Sequence, residues 1–423
     1  MIRITRSNMN FEREPLATPF GFKGGFLTEL WQTIALLTNE GGQRGVGLGV
    51  QSVLWSDPRV FAAHSEAGGN ALMLLLTSYA LRAAEGKTFE TPPDLLDALL
   101  PSAFEYGKTI TRNPDLRLTF VLNALVAVDN AAWRLYAAEH VITDFDALIP
   151  DFARPALSHR QSEVLSIPAV GYGLAVEEVV RLAAEGYSLF KIKIGSDPAK
   201  DGDPAKMLEG DIARMRALHT SLKPYPHVRY YLDANGRYDT KARLLRLLDA
   251  LDSCGALAQT ALLEEPFPEE NQENVTDVPV RVVADESAHT DRDVAARIAL
   301  GYGAIALKPA AKTLSMSFRM AQVAHAAGVP CLCADLTVNP VLVDWNKTFA
   351  ARLAPLPGLT GGALEANGHQ NYRDWPRMQS YHPCAGAPWT EAHHGSFSLD
   401  STFYASSGGI LLPLPHYDAL VRT

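Results

Sequence analysis

Five short apolar runs between residues 190 and 309 each end in charged residues. They read FKIKIG (190–195), YLDANG (231–236), LLEEPFPEEN (262–271), VVADES (282–287) and IALKP (305–309). The steps from Lys193 through Asp233, Glu264 and Asp285 to Lys308 are 40, 31, 21 and 23 residues, and a strand, a helix and a returning parallel strand need about 30. This alternation predicts a (β/α) barrel, in which chemistry collects at the C-terminal ends of the strands.

The charges divide by type around this predicted barrel. Asp233, Glu264 and Asp285 end three successive strands, so three carboxylates converge if those strands are neighbours. Like charges at such short range repel strongly unless protons or a cation are present. Oxygen ligands without His or Cys favour Mg²⁺ over Zn²⁺. Lys193 and Lys308 end the strands before and after the acidic three, which places an amine on each side of a metal-bound ligand.

These motifs together resemble the enolase superfamily, in its mandelate racemase/muconate-lactonizing branch. K-x-K, D-A-N, E-E-P and A-D-E-S, followed by a strand-end Lys, match that family in order and spacing over nearly the whole chain. The resemblance implies a modified (β/α)7-8 barrel of TIM type with an N-terminal α+β capping domain completed by C-terminal residues. It also implies two opposed lysine bases, a third lysine that shapes the charge, and one Mg²⁺ ion held by three carboxylates. These roles fall on Lys193, Lys308, Lys191, Asp233, Glu264 and Asp285.

Several of these positions have alternative interpretations. Lys191 and Lys193 share one face of their strand, as they would on a solvated edge, although an interior strand strongly disfavours buried ammonium groups without a purpose. Glu265 and Glu286 adjoin the predicted ligands and are expected to point the other way. Lys312 is an alternative to Lys308 as the base, but we expect it in a following loop or helix.

Length and composition indicate a large soluble protein. The chain has 423 residues, with 47% hydrophobic and 20% charged content. Its net charge of −9 argues against a nucleic-acid surface. The N-terminus lacks the apolar run of a signal peptide, and ALMLLL (71–76) is far short of the roughly 20 residues of a membrane span. We therefore expect a cytoplasmic protein with no membrane partner.

The four cysteines do not form a disulfide framework in a chain of this size. Cys331 and Cys333 lie two residues apart and would share a strand face. Buried thiols are the favoured interpretation, with a metal or redox pair as the alternative.

The chain is predicted to divide into a capping domain (1–145), a barrel (146–380) and a C-terminal segment (381–423) that packs back on the cap. The first barrel strand is expected near 167–174. An insertion, 138–164, is predicted to lie outside the barrel, where it either borders the active site or lies away from it.

The stretch TPFGFKGG (18–25) lies between the first two predicted strands. It is either a plain hairpin loop or, as the resemblance implies, a mobile loop that closes over the substrate. In the second case Phe20, Phe22 and Lys23 exclude water and contact the ligand. The glycines of NEGGQRGVGLG (39–49) do not favour a phosphate site, because no helix start with Lys and Ser or Thr follows.

Polar residues near other strand ends are candidates for substrate contacts. Asn235 is expected to face the ligand with Asp233, and Asp335 and Glu365 follow strands seven and eight. CLCADLT has no His, which disfavours the family's His–Asp subtype. E-A-N at 365–367 stands where the family's dipeptide epimerases carry D-x-D, so one carboxylate remains. Glu365 is predicted to contact the developing enolate or a substrate amine.

Two bases on opposite faces fit racemisation or epimerisation of an amino-acid-derived or hydroxy acid carboxylate. The same enolate could expel a β-leaving group, as in an acid dehydratase or a cycloisomerase. An aldolase-like barrel that forms a Schiff base through Lys193 or Lys308, and a binding barrel without catalysis, stay open as alternatives. The resemblance also implies a symmetric homo-oligomer.

Overall fold

Residues 1–422 are described by a computed structural model, in which the N-terminal part forms an antiparallel sheet of order β3-β2-β1-β4. The strands are β1 (Ile2–Phe22), β2 (Gly25–Asn39), β3 (Arg44–Gln51) and β4 (Thr88–Phe89). The stretch 18–25 belongs to the β1–β2 hairpin, whose two-residue turn, Lys23 and Gly24, has positive φ at both positions. Positive φ at both central residues is the geometry that continues the twist of the flanking strands.

Helices cover one face of this sheet, and the longest of them come from the segment 58–140. The cap contains α1 (Val53–Ser56), α2 (Pro58–Ala84), α3 (Pro92–Thr111) and α4 (Leu118–His140). Strand β3 approaches α4 so closely that a Cβ on Gly47 would lie 2.1 Å from Ala127 O and Ala131 N. The lack of a side chain at Gly47 therefore allows the backbone of β3 to pack directly against the backbone of α4.

A ring of eight parallel strands follows. The first barrel strand is interrupted at Pro168 and consists of β5 (Glu163–Ile167) and β6 (Ala169–Val170). Because β5 pairs with the eighth strand and β6 pairs with the second, the ring closes through this interrupted strand. The second to eighth strands are β7 (Leu189–Lys193), β8 (Arg229–Asp233), β9 (Thr260–Glu264), β10 (Arg281–Ala284), β11 (Ala304–Leu307), β12 (Cys331–Cys333) and β13 (Gly362–Glu365).

The first barrel strand starts four residues earlier than the sequence predicted. Residues 171–174 form a turn, not strand, because Gly171 and Gly173 end the apolar run that suggested the later position.

Outer helices follow most of the barrel strands, as the spacing of the strand ends predicted, but β9 and β10 are joined by residues 265–280 without a helix. The outer helices are α6 (Val176–Ala184), α7 (Pro204–Ser221), α8 (Lys241–Cys254), α9 (Asp291–Ala299), α10 (Pro309–Lys312), α11 (Leu314–Ala326) and α12 (Pro340–Ala350). Single-turn 3₁₀ helices lie at Leu257–Gln259, Pro388–Thr390 and Ser407–Gly409.

The insertion 138–164 packs on the outside of the barrel, away from the C-terminal strand ends. It contains α5 (Phe145–Leu148) and a 3₁₀ helix, Asp151–Leu157. Asp146 forms an ion pair with Arg352, just past the C-terminal end of α12, and His159 N donates to the Arg352 carbonyl at 3.1 Å. Since an outer helix runs back to the N-terminal ends of the strands, the insertion does not border the predicted site.

The C-terminal segment returns to both parts of the fold. It contains β14 (Ser396–Ser398), α15 (Ser401–Ser406) and α16 (Pro415–Leu420), and it follows α13 (Gly368–Asn371) and α14 (Trp375–Ser380). Strand β14 pairs antiparallel with β5, and Asn10 of β1 donates to the Leu420 carbonyl. In the described part of the chain, no helix is long and apolar enough to cross a membrane.

The barrel interior is apolar at the N-terminal ends of the strands and charged at the C-terminal ends. An inner cluster contains Leu189, Tyr231, Leu262 and Val283. Lys191, Asp233 and Glu264 stand two residues further along the first three of these strands, and they face the same side because side chains alternate along a strand. Asp285 stands two residues after Val283, just beyond the end of its strand. Cys331 and Cys333 instead join the outer core, where their thiols are free and buried.

Candidate active site

Lys191 lies at the centre of the charged end of the barrel. Its side chain is 1% exposed, and Nζ lies 2.9 Å from Glu264, 2.9 Å from Glu365 and 3.2 Å from Asp233. Burial alone would lower the pKa of Lys191, but Glu264 and Glu365 outweigh it and hold this pKa well above its ordinary value. Lys191 is therefore a permanent cation that binds three carboxylates.

Lys193, two residues on, is held by the next strand. Its Nζ lies 2.5 Å from Asp233 Oδ2 and donates to Asn235 Oδ1 at 2.9 Å. Burial would raise the pKa of Asp233, but Lys193 and Lys191 lower it to about 2. Asn235 has a positive φ, and its backbone N–H donates to Asp233 Oδ1 at 2.9 Å, so the D-A-N motif forms a tight turn with both side chains at the site.

Lys308 and Lys312 bind the two oxygens of one carboxylate. Lys308 Nζ lies 2.7 Å from Asp285 Oδ2, and Lys312 Nζ donates to Asp285 Oδ1 at 3.0 Å. Lys312 also donates to the carbonyls of Asp285 and Ala288, and its side chain is 0% exposed. All three protons of Lys312 are engaged, so Lys312 positions Asp285, while Lys308 is left on the wall of the central cavity.

The lysines Lys193 and Lys308 face each other across the ring. They end the second strand and follow the sixth, and three strands of the eight separate them on either side. Burial alone would lower the pKa of Lys308, but the negative charge of Asp285 outweighs burial and raises this pKa above its ordinary value.

Three buried carboxylates come together beside these lysines. Oxygen atoms of Glu264, Asp285 and Glu286 all lie within 4.8 Å of one another. Burial, followed by the negative charge of Asp233, raises the pKa of Glu264 well above its ordinary value, although Tyr231 donates its hydroxyl proton to this carboxylate.

The position of Glu286 corrects the expectation that it points away from the site. Its Oε1 accepts from Asn235 Nδ2 at 2.9 Å, and its buried Oε2 has no hydrogen-bond partner among residues 1–422. A group of buried carboxylate oxygens with an unsatisfied acceptor fits a hard divalent cation such as Mg²⁺. Glu264 and Asp285 belong both to the predicted ligand set and to this group.

Glu265 lies beneath the cluster, as its alternate position on the strand predicted. Its Oε2 accepts from the backbone N–H groups of Asp285 and Ser287 at 2.8 and 3.2 Å. Burial and the neighbouring Glu286 raise the pKa of Glu265 to about 8. Glu265 thus holds the end of the fifth strand in place.

The seventh and eighth strand ends form a connected polar wall. Asp335 N donates to Glu365 Oε2 at 3.1 Å, and Asn367 N donates to Asp335 Oδ2 at 2.9 Å. Burial and the charge of Glu365 raise the pKa of Asp335 to about 7. Thr337 donates to Asn367 Oδ1 at 2.8 Å, so all four side chains are fixed relative to one another.

These elements enclose a small chamber of about 30 Å³ at the mouth of the barrel. Eight of the twelve predicted site residues line it: Lys191, Lys193 and Lys308; Asn235, Asp335 and Glu365; and Phe20 and Phe22. The carboxylates of Asp233, Glu264 and Asp285 lie behind the lysines that bind them. A space of this volume holds only a few water-sized molecules.

The β1–β2 hairpin closes the chamber from above. Phe20 and Phe22 form its roof, and the Phe22 ring centroid lies 5.7 Å from Lys193 Nζ. Lys23 lies outside the chamber wall, where Nζ is 3.0 Å from Glu286 Oε1 and donates to the Trp55 carbonyl at 2.9 Å. The hairpin tip is therefore anchored to the carboxylate cluster by a buried ion pair.

Comparison with known proteins identifies the fold. Residues 174–355 match a family model described as enolase C-terminal domain-like. The chain has the enolase-superfamily fold. None of the curated protein sequences matches it.

Solved structures resemble the chain over nearly its full length. A member of the enolase superfamily from Listeria innocua is 18% identical with a TM-score of 0.67, and the match covers 100% of this chain and 98% of the Listeria chain. A dipeptide epimerase from Enterococcus faecalis, complexed with Mg and L-Leu-L-Tyr, is 19% identical with a TM-score of 0.65 and coverage of 96% and 99%. A muconate lactonizing enzyme from Mucobacterium Smegmatis, complexed with muconolactone, is 17% identical with a TM-score of 0.61 and coverage of 88% and 90%.

Sequence reasoning missed two aromatic residues at this site. Trp55 lines the chamber, and its ring centroid lies 4.7 Å from Lys308 Nζ, a cation–π distance. It comes from the short helix after the cap's third strand, where no local pattern marks it. Tyr231 precedes Asp233 by two residues, so strand alternation could have placed it beside the carboxylates.

Proposed function

We propose that this chain is a divalent-metal-dependent enzyme that removes the proton next to a substrate carboxylate. Racemisation or epimerisation of an amino-acid-derived or hydroxy acid is the reaction that the site supports best. The observation that carries this proposal is the pair Lys193 and Lys308 on opposite walls of one chamber, where Lys193 is bound to Asp233 and Lys308 is bound to Asp285.

The metal would be held by Asp233, Glu264 and Asp285, with Glu286 as the alternative to Asp233. When bound, the cation supplies the positive charge that holds a substrate carboxylate and stabilises the negative charge that develops beside it. The charge balance supports this assignment, since Lys193 and Lys308 compensate Asp233 and Asp285 in the described structure. A cation at the cluster would release both amines from these ion pairs.

The two lysines would then act from opposite faces of the substrate. One neutral amine accepts the proton from Cα, and the opposite ammonium group returns a proton to the other face. Lys191 keeps its charge and holds Glu365 beside the chamber. Phe20, Phe22 and Trp55 exclude water, which strengthens the electrostatic interactions inside.

Substrate entry requires the hairpin to move. The chamber of about 30 Å³ is too small for even a short carboxylate, and Phe20 separates it from an outer groove of about 630 Å³. We therefore propose that the β1–β2 hairpin opens for binding and closes before proton transfer.

Elimination is the second candidate, and one residue favours it. Asp335 lines the chamber, and its pKa of about 7 suits a general acid at neutral pH. Protonation of a β-leaving group by Asp335 would convert the same enolate into the product of a dehydratase or cycloisomerase.

The proposal is tested by deuterium exchange at Cα, followed by proton NMR in D₂O with Mg²⁺. The panel contains acyl-amino acids, dipeptides, prolines and sugar acids. Exchange with racemisation supports the two-base isomerase, and exchange with a new vinyl or 2-keto product supports the lyase. Absence of exchange over the whole panel in a protein that binds Mg²⁺ would rule out the proposed substrate class. Absence of both exchange and metal binding would rule out the mechanism.

Two controls separate the remaining classes of protein. Loss of exchange in EDTA identifies a metal-dependent reaction, whereas borohydride trapping of a substrate adduct on Lys193 or Lys308 identifies a Schiff-base enzyme. A protein that binds the panel without exchanging any proton would be a binding barrel.

A further inference from the structure

Lys23, in the turn of the β1–β2 hairpin, is a buried cation outside the chamber. Its side chain is 5% exposed, and its Nζ lies 3.0 Å from Glu286 Oε1. Gly24, the next residue of the turn, lies close to Arg237, since a Cβ on Gly24 would be 3.2 Å from Arg237 Nη1. The closed hairpin is therefore seated on the loops that follow β8 and β10.

Glu286 connects the hairpin to one of the two proposed bases. The oxygen that pairs with Lys23, Oε1, also accepts from Asn235 Nδ2 at 2.9 Å. Asn235 Oδ1 in turn accepts from Lys193 Nζ at 2.9 Å. Glu286 and Asn235 are 2% and 8% exposed, so bulk water does not compete for these contacts. One chain of polar contacts thus runs from the hairpin to the chamber, and we call it the tip relay: Lys23, Glu286, Asn235 and Lys193.

The backbone and the neighbouring charges fix Asn235 in the middle of the tip relay. Its φ of +44° is a left-handed conformation that Asn adopts more readily than most residues. Its amide oxygen faces the ammonium group of Lys193 and its amide nitrogen faces the carboxylate of Glu286. A side-chain amide can serve both neighbours at once because it carries an acceptor and a donor.

Lys308, the opposite base, has no such connection to the hairpin. It is paired with Asp285 and lies against the Trp55 ring, and no hydrogen bond within residues 1–422 joins it to the hairpin. Lys23 does donate to the Trp55 carbonyl, but this backbone group takes no part in the ring contact with Lys308. The hairpin meets Lys193 a second time, because the Phe22 ring lies over its amine. Closure of the hairpin therefore acts on one wall of the chamber.

We infer that Lys23 and Glu286 are positioning residues for Lys193, and that closure of the hairpin completes the tip relay that orients this amine. The inference rests on the proposed function, in which a cation takes Asp233 away from Lys193. Asp233 and Asn235 are the polar side chains within reach of the Lys193 amine in residues 1–422 other than the second lysine of its strand, so Asn235 is the partner that remains. Lys193 is then oriented for proton transfer only under a closed hairpin.

The coupling is measured first in EDTA and without substrate. Phe22 is 5% exposed, so chymotrypsin cuts the bond after it only when the hairpin opens. Asn235→Gly removes the middle of the tip relay, keeps the positive φ without strain and leaves the cleaved bond unchanged. Cleavage of the full-length chain after Phe22, followed by mass spectrometry, is expected to be about three- to tenfold faster in this variant.

Arg112→Gly is the matched control for this measurement. Arg112 also has a positive φ but is exposed and lies in the cap, outside the tip relay, so its replacement should leave the cleavage rate unchanged. Equal cleavage rates in the wild type and Asn235→Gly would overturn the inference.

The effect on Lys193 is measured as Cα proton exchange from each enantiomer of an accepted substrate. The enantiomer whose exchange is lost in Lys193→Ala identifies the face that Lys193 serves. Lys23→Met is expected to lower kcat for this enantiomer about tenfold more than kcat for the other, and Lys23→Arg, which keeps the charge, should restore most of it. Equal losses for both enantiomers would mean that the hairpin only covers the site, and would overturn the inference.

A double-mutant cycle tests whether Lys23 and Asn235 act through the same relay. Because both substitutions break it, the double variant should lose less exchange at the Lys193 face than the product of the two single losses, by about threefold or more. Losses that simply multiply would overturn the inference. If Lys23→Met does not fold, Lys23→Gln takes its place. If the wild type exchanges no substrate, the proposed function fails, while cleavage of Asn235→Gly in EDTA still decides whether the relay holds the hairpin.

Discussion

Replacing Lys191 by Met should make the stability of the barrel depend on a divalent cation. Lys191 is buried against Asp233, Glu264 and Glu365, and Met preserves most of the volume while removing the charge. Leaving buried charges without their partner costs about 3–5 kcal/mol. Unfolding entropy of about 2.1 cal/mol/K per residue over 423 residues corresponds to about 0.9 kcal/mol/K. The Tm is therefore expected to fall by about 3–6 °C in EDTA.

Thermal unfolding followed by circular dichroism, in EDTA and in Mg²⁺, provides the assay. Because Lys191 repels a cation at the cluster, its loss strengthens metal binding, and Mg²⁺ should raise the Tm of Lys191→Met more than that of the wild type. Lys223→Met, at an exposed position, is the matched control and should change the Tm by less than about 1 °C. A Tm for Lys191→Met within about 1 °C of wild type in EDTA, or an equal response to Mg²⁺, would refute the reasoning.

Three further predictions concern packing, pH and the hairpin. Gly47→Ala should lower the free energy of unfolding by about 1–3 kcal/mol or more, because its Cβ meets backbone atoms of α4 at 2.1 Å. Burial raises the pKa of Asp129 to about 6 in the folded protein, so between about pH 4 and 6 the folded wild type binds more protons than the unfolded chain. Its stability should therefore fall by up to about 3 kcal/mol as the pH rises through this window. Asp129→Asn should lack this loss and gain stability relative to wild type over the same window, as measured by urea unfolding. Lys23→Met should bind Mg²⁺ more tightly by calorimetry, and its hairpin should be cleaved faster by chymotrypsin, because the ion pair with Glu286 that anchors the tip is lost.

Each of these predictions has a control and a contradicting result. Gly210→Ala lies in a helix with open space around it and should be neutral or stabilising by about 0.5–1 kcal/mol; equal effects at both glycines would contradict the packing argument. Asp115→Asn, at an exposed position, controls for Asp129→Asn, whose stability relative to wild type must change with pH. For Lys23→Met, unchanged cleavage together with unchanged Mg²⁺ affinity would show that the ion pair does not hold the hairpin.

The strand ends of the barrel were predictable from the sequence because burial and alternation act together there. A strand inside a ring of helices is apolar on both faces except where it ends at the site, so Lys193, Asp233 and Glu264 stand out against apolar runs. The opposition of Lys308 and Lys193 was implied by the family resemblance, and three strands of the ring separate the two positions on either side.

Side chains alternate between the two faces only within a strand, so the sequence predicted the direction of side chains less well beyond the strand ends. Strand β10 ends at Ala284, so Asp285 and Glu286 both lie beyond it, where neighbouring side chains are not required to point in opposite directions. Glu286 turns to the cluster for this reason. Lys312 lies four residues after Lys308 at the end of a single helical turn, which brings both lysines to the same carboxylate.

Contacts between distant segments had no local signature. The cap supplies Trp55 and the hairpin anchor Lys23 to the site, but only the packing of the cap on the barrel brings them there. A cavity beside Asp344 and His382 likewise joins a barrel helix to the C-terminal segment, and nothing in the spacing of these residues indicates that they meet.

The most direct test of two opposed lysine bases is the exchange of the Cα proton of each enantiomer of an accepted substrate, measured separately by proton NMR in D₂O with Mg²⁺. Lys193→Ala is predicted to abolish exchange from one enantiomer and Lys308→Ala from the other, while each variant retains exchange from the opposite face. Exchange of both enantiomers in either variant, or exchange by the wild type that persists in EDTA, would contradict the account.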